Sequence, residues 1–176
     1  YDSAENSKNL GLGQALKKGF LFIVGNDIGA EHVVTLDSDH QHDFSELIFY
    51  LEHRKENDVD MLLIRRDLVR YPALKKLGNN ILSCWASILT GQRFFDVETG
   101  FRIMSVSTIR KILPFFRAYR YSCASEVAII ACMLGLKVDN TPVCNIRYYK
   151  SNTSYSDAFT NFTVSFLTYL RMRRKT

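Results

Sequence analysis

The chain is poor in turn formers and thiols, with three prolines, nine glycines and four cysteines among its 176 residues. Collagen-like and Pro/Gly-rich low-complexity classes are thereby excluded. The cysteines, Cys84, Cys123, Cys132 and Cys144, form no CxxC pair and have no histidine at metal-ligand spacing. They read as small apolar fillers in a reducing compartment. No apolar run reaches the roughly 18 residues that span a bilayer, and no secretory leader opens the segment. The expectation is a soluble or peripheral segment, cytoplasmic and held at or near a membrane. In that setting the sequons Asn152-Thr153-Ser154 and Asn161-Phe162-Thr163 are chance matches. Gly11-Leu12-Gly13 does not complete GxGxxG and no GKS or GKT follows, which excludes the common nucleotide-fold loops.

Acidic residues are the minority, 18 against 23 Lys and Arg, which leaves a formal charge of +5. Part of the excess lies in Arg171, Arg173, Arg174 and Lys175. Such a balance favours an anionic partner, either phosphate groups or a membrane surface. A nucleic-acid reading lacks a binding motif and lacks aromatics interleaved with the basic residues along one face, so it is set aside.

What is present is an ordinary globular composition, 47% hydrophobic and 23% charged, of a length that suits one core. Helical and extended patterns alternate, as in α/β domains. Helices are expected over Gly13 to Val24, with Gly25-Asn26 as stop, and from Asp43, where Asp43-Phe44-Ser45-Glu46 has capping-box spacing. The second helix would bury Leu47, Ile48 and Leu51. Further helices are expected from Pro72 to Leu89 with Gly91 beyond the end, from Ser125 to Leu134 before Gly135, and from Asp157 to Met172. Strands are expected at His32 to Leu36, Val59 to Ile64 and Phe101 to Met104. Leu136 to Tyr149 reads as extended and is interrupted by Pro142. The organisation expected is a core over residues 1–150 followed by a C-terminal amphipathic helix and basic tail over 151–176.

The sharpest local signal is Asp37-Ser38-Asp39-His40-Gln41-His42. Two carboxylates separated by one residue, at the carboxyl end of a buried strand, can face one cavity, and open α/β sheets place ligands at that end. Their mutual repulsion is relieved by a divalent cation. Oxygen donors favour Mg2+ or Mn2+, which leaves positions for diphosphate oxygens and water. The competing reading is a solvated turn. A zinc pair at His40 and His42 lacks a third ligand.

Asn9-Leu10-Gly11-Leu12-Gly13-Gln14-Ala15, Leu36 to His42, Arg65, and Asp96-Val97-Glu98-Thr99-Gly100-Phe101-Arg102 follow one another in an order that resembles family 2 glycosyltransferases. Within that family the chain is most similar to the dolichyl-phosphate (polyprenyl-phosphate) mannosyl- and glucosyltransferase branch. The resemblance implies a GT-A fold, a mainly parallel sheet flanked by helices. It also implies a nucleotide-sugar donor, inverting in-line transfer of a hexose, and a lipid-phosphate acceptor. On this resemblance Asp37, Asp39 and Gln41 would hold the metal, and Asp39, Arg102 and Arg65 would be catalytic. Asn9, Gly11, Gly13 and Asp37 would lie against the donor.

Apart from the resemblance, arginine forks bind phosphate bidentately and stay charged, which suits Arg65 and Arg102. A surface ion pair is the competing reading, and it weighs more for Arg65 beside Arg66-Asp67. Glycines at 11 and 13 suit a close backbone approach as well as ligand contact. Nothing in residues 1–8 matches the strands that open family members, so the resemblance implies a core without its first nucleotide-binding strands. Ile64 stands where the family has a small residue. The branch's next arginine has candidates only in Arg70, Lys75 or Lys76.

If the acceptor were instead a glycan or glycolipid hydroxyl, a carboxylate base would be needed, with Glu126 and Asp96 as candidates. Glu126 also suits a first helical turn through the helix dipole alone. A non-catalytic nucleotide-sugar-binding module is the further alternative. Phe159, Phe162, Phe166 and Leu170 followed by Arg171-Met172-Arg173-Arg174-Lys175 form a basic amphipathic helix suited to a membrane surface or to packing on the core.

Overall fold

The computed structural model describes residues 11–26, 28–37, 45–145 and 155–175, for residues 155–157 the backbone only. Helix α1 (Leu12–Gly25) leads to strand β1 (His32–Thr35) and helix α2 (Leu47–Glu56). Strands β2 (Met61–Leu63) and β3 (Arg65–Arg66) precede the long helix α3 (Ala73–Thr90). Strand β4 (Arg102–Ser105) runs directly into helix α4 (Val106–Ile112). Helix α5 (Cys123–Met133), strands β5 (Val138–Asp139) and β6 (Val143–Cys144), and helix α6 (Tyr155–Arg173) complete the order.

The described strands form a four-stranded sheet in the order β1-β4-β2-β5 and a separate β3-β6 pair. Strand β4 is antiparallel to both β1 and β2, whereas β2 and β5 are parallel. The expectation of a mainly parallel sheet is corrected accordingly. Three strands share one direction, but the opposed strand sits between two of them, so most pairings are antiparallel. Short buried strands carry the same apolar pattern in either orientation, which is why periodicity does not show the difference.

Helix ends follow their stop signals. Gly91 closes α3 in the left-handed region at φ 73°, and Gly135 follows α5 at φ 70°. Two differences have local causes. Helix α2 buries Tyr50 and leaves Ile48 exposed. The Tyr50 hydroxyl donates to the Val143 carbonyl at 3.0 Å and its ring meets Phe101 edge-on at 5.5 Å, which sets the rotation of the helix. Residue Asp43 of the expected capping box lies outside the described residues. Helix α4 was not expected. Ser105 caps it by accepting from the Thr108 N–H at 3.0 Å, while its side chains Ile109 and Ile112 enter the core.

One core cluster gathers Met61, Leu63 and Met104 of the sheet with α4, α5 and Phe20 of α1. A smaller one, on the opposite face of alternating strand residues, joins Tyr50, Leu62, Ile64, Phe101 and Ile103. Helix α6 packs on α5 and α3. Cys123 and Cys144 are buried as apolar fillers, whereas Cys84 is exposed on α3.

Candidate functional site

The segment Asp96 to Arg102 is tied down at almost every residue. The Asp96 carboxylate takes two bonds of 2.8 Å from the Arg66 guanidinium and one of 3.0 Å from its backbone N–H. Arg66 also reaches the Asn79 side chain on α3 at 3.3 Å. Burial alone would raise the Asp96 carboxyl, but Arg66 holds it below the usual carboxylate range, and the same pairing raises Arg66. The Val97 N–H donates to the Ser83 hydroxyl at 3.1 Å, and the Thr99 hydroxyl donates to the Ile64 carbonyl at 2.7 Å. Phe101 is buried in the smaller core cluster.

This anchored turn presents Gly100 and Arg102 to the end of β1. The Thr35 hydroxyl donates to the Gly100 carbonyl at 2.9 Å, and Thr35 pairs with Arg102 in the sheet register. Two residues further on, the half-buried Asp37 carboxylate fills the space over Gly100 that any side chain there would need. Arg102 is buried and donates to the Thr99 carbonyl at 2.6 Å, while its Nε is buried with no hydrogen-bond partner. Burial lowers the guanidinium from its ordinary value, and Cys123, Glu98, Asp37 and Asp96 oppose that shift. Asp37 and Arg102 therefore share one site at the strand ends.

Arg65 opens elsewhere. Its guanidinium lies 4.8 Å from the Phe95 ring centroid, with Arg93 at 4.9 Å from the same ring. It lines a cavity of about 400 Å³ with Lys76, Asn80, Phe95 and Val69, and neither Asp37 nor Arg102 lines it. The Lys76 ammonium donates to the Val69 carbonyl at 2.7 Å across this cavity wall. The Arg65 Nε is buried with no hydrogen-bond partner.

Gly11 caps α1 at φ 83°, and Gly13 is buried where the Ala118 and Arg120 carbonyls approach too closely for a Cβ. The close backbone approach read for this stretch is thus realised at Gly13. Asn9, Asp39 and Gln41 lie outside the described residues. Among the described residues no group of three His, Cys, Asp or Glu converges as a metal shell. Asp37 alone of the expected ligands is described. Its carboxylate packs on Gly100, within electrostatic reach of the buried Arg102, and carboxylate oxygen is the donor type that Mg2+ or Mn2+ takes.

Both candidate bases are occupied structurally. The Glu126 carboxylate accepts from the Arg117 and Ala118 N–H groups at 2.8 and 2.9 Å and from Arg171 at 3.1 Å. Asp96 is engaged by Arg66. The sequence reading passed over Glu98, whose Oε2 accepts from Asn161 of α6 at 2.9 Å while its Oε1 is buried without a partner. Burial pushes this carboxyl up to about 7, against the pull of Arg102 and Arg66. The signal for it was a third acid inside a segment already marked at both ends, by Asp96 and Arg102.

No protein-family model matches the chain. It is 30% identical over 178 residues to the UDP-N-acetylglucosamine–dolichyl-phosphate N-acetylglucosaminyltransferase of Methanococcus voltae, covering 96% of this chain and 66% of that protein. It is 26% identical over 139 residues to an uncharacterized protein of Methanocaldococcus jannaschii, covering 76% of this chain and 57% of the relative. The chain thus spans just under two thirds of the first and little more than half of the second. The first similarity identifies it as a homologue of a glycosyltransferase.

Proposed function

We propose that this glycosyltransferase homologue transfers a hexose-type sugar from a nucleotide-sugar donor to a polyprenyl (dolichyl-type) phosphate, with inversion. The observation that carries the reading is Asp37 placed over Gly100 in the turn that delivers Arg102, within a chain 30% identical to a dolichyl-phosphate sugar transferase. A family 2, GT-A type assignment is supported by three strands of one direction whose shared end bears this acidic residue. The lipid-phosphate branch is the one we favour.

Asp37 with Asp39 and Gln41 would hold Mg2+ or Mn2+, which when bound offsets negative charge on the departing nucleoside diphosphate. Arg102, with its unpartnered buried Nε, is suited to donate to a phosphate oxygen at the same strand ends. In the transfer, an acceptor phosphate oxygen forms a bond to the anomeric carbon as that carbon's bond to the donor diphosphate breaks. A phosphate nucleophile is already anionic and needs no base. This agrees with Glu126 and Asp96 both being engaged in structural contacts. Arg65 and Lys76 supply cations to the cavity they line, which we assign to the approach of the acceptor phosphate toward the strand ends where transfer takes place. Gly11 and Gly13 would shape the donor-side backbone with Asn9.

Among the described residues no helix is long and apolar enough to cross a membrane. On α6, Phe162 and the partly exposed Phe166 pack on Trp85, whereas Phe159 and Leu167 are exposed ahead of Arg173, Arg174 and Lys175. The helix thus divides between core packing and a face available to a membrane surface. The test is release of nucleoside diphosphate from a panel of nucleotide sugars, with a polyprenyl phosphate and Mg2+ or Mn2+. Metal- and acceptor-dependent release, lost in Asp37→Ala, supports the reading. Release that ignores the acceptor phosphate, or survives that substitution, refutes it.

A further inference from the structure

Arg65 and Arg66 are neighbours on β3, and the fold restrains them by opposite means. The Asp96 carboxylate grips the Arg66 guanidinium through two bonds of 2.8 Å, which fixes it and offsets its charge. Arg65 meets no carboxylate in an ion pair among the described residues. Its guanidinium lies over the Phe95 ring, 4.8 Å from the centroid, and the Arg93 guanidinium lies 4.9 Å from the same centroid. A ring restrains a guanidinium through its face and leaves the N–H edge and the positive charge for another partner. The Arg65 Nε is buried with no hydrogen-bond partner, and Arg65 and Phe95 both line the cavity of about 400 Å³. Asp67, the acid of that lining, turns one oxygen to the Val69 N–H at 3.0 Å.

Ring and guanidinium are both set from one short loop. Asn140, which follows β5 and is 4% exposed, donates to the Arg93 carbonyl at 2.9 Å and accepts from the Phe95 N–H at 2.9 Å. Both ends of one buried amide are thus spent on the segment that carries the ring. Two residues on, the Pro142 carbonyl accepts from the Arg65 N–H at 2.9 Å, and Arg65 pairs with Val143 in the β3–β6 register. The loop is itself braced, because the Asp139 carboxylate accepts from the Thr141 N–H at 2.8 Å and meets His53 of α2 at 2.8 Å. Residues 139–143 therefore fix both where the ring lies and where the arginine leaves its strand.

We propose that Phe95 and Asn140 are positioning residues for the acceptor phosphate: Phe95 holds the Arg65 guanidinium oriented without neutralising it, and Asn140 holds Phe95. The inference deepens the proposed function and rests on its assignment of this cavity to the approach of that phosphate. An arginine has several rotatable bonds, and an unrestrained one loses that freedom on binding. A carboxylate partner removes the freedom in advance but offsets the charge as well, as Asp96 does for Arg66. The ring removes the freedom alone, so a phosphate meets an arginine that is preorganised and still cationic.

The test is calorimetric binding of a short, water-soluble prenyl phosphate to the full chain, with circular dichroism and a melting curve on every variant. Phe95→Leu keeps an apolar side chain and removes the ring, and affinity should fall roughly tenfold. Phe95→Tyr restores the ring and should restore binding. Asn140→Ala, the second variant, should weaken binding in the same direction. Arg65→Gln removes the charge that is being positioned, so adding Phe95→Leu to it should cost no further affinity. A phenylalanine that only packed the fold would add its loss in full. Wild-type affinity in folded Phe95→Leu, beside a loss in Arg65→Gln, overturns the inference and leaves the acceptor assignment standing. So do additive losses in the double variant. Wild-type affinity in Arg65→Gln overturns both. Coupled loss in the Phe95 and Arg65 variants, with no transfer to any prenyl phosphate by the wild type, upholds the positioning and refutes the proposed function.

Discussion

The Asp37 carboxylate lies directly over Gly100, so a residue from the acidic turn and a residue from the Asp96–Arg102 segment interlock without space for one added carbon. Gly100 is not in the left-handed backbone region. Its lack of a side chain is therefore required by Asp37 and not by its own dihedrals.

Gly100→Ala should accordingly fold and fail in catalysis. The added methyl displaces the Asp37 carboxylate, and displacing a catalytic group by an ångström costs on the order of 100-fold in kcat/KM. The check is a kinetic comparison at matched secondary structure by circular dichroism. Wild-type rates in the variant would show that Asp37 does not act from this position.

The Arg66–Asp96 pair is predicted to dominate local stability. Breaking one partner of a buried ion pair costs about 3–5 kcal/mol, so Asp96→Asn should lower the urea midpoint substantially at pH 7. Asp96 has a depressed carboxyl, so its contribution is present above the ordinary carboxylate range and is lost as pH falls through the folded value. The variant's deficit should therefore shrink in strong acid.

Glu98 predicts the opposite pH dependence. Its carboxyl is raised from 4.5 to about 7. Between those values the folded chain keeps a proton that the unfolded chain releases, so stability falls as pH rises to about 7 and is level above. Glu98→Gln preserves an oxygen for Asn161 and removes the charge. It should raise the melting temperature at pH 8, by up to about 3 kcal/mol of stability, and change little at pH 4. An equal effect at both pH values would refute burial of a charge as the cause.

Asp37 and Arg102 were legible in the sequence because each follows or opens an apolar strand, where a charged residue has few structural excuses. Helix stops at Gly91 and Gly135 were legible for a similar reason, since a left-handed cap favours glycine. Helix α4 was not, because its first turn, Val106-Ser107-Thr108-Ile109, is β-branched and polar and gains its helicity from the Ser105 cap and from burial of Ile109 and Ile112. Strand order was hidden too, because the insertion of β4 between β1 and β2 is decided by tertiary packing. Lys76 was one of three candidates in the sequence. The cavity separates it from Arg70 and Lys75, neither of which lines that space.

Lys76 carries the last prediction. Its ammonium donates to the Val69 carbonyl and faces the cavity shared with Arg65, so an acceptor phosphate entering there would meet a guanidinium stacked on Phe95 and a lysine on the first turns of α3. Hydrogen bonds to charged groups contribute about 1.5–3 kcal/mol each. Lys76→Ala should therefore raise KM for a polyprenyl phosphate by roughly tenfold or more. KM for the nucleotide sugar should hold, because Asp37 and Arg102 do not line this cavity. A short-chain acceptor should show the same loss, since the missing contact is to phosphate and not to hydrocarbon.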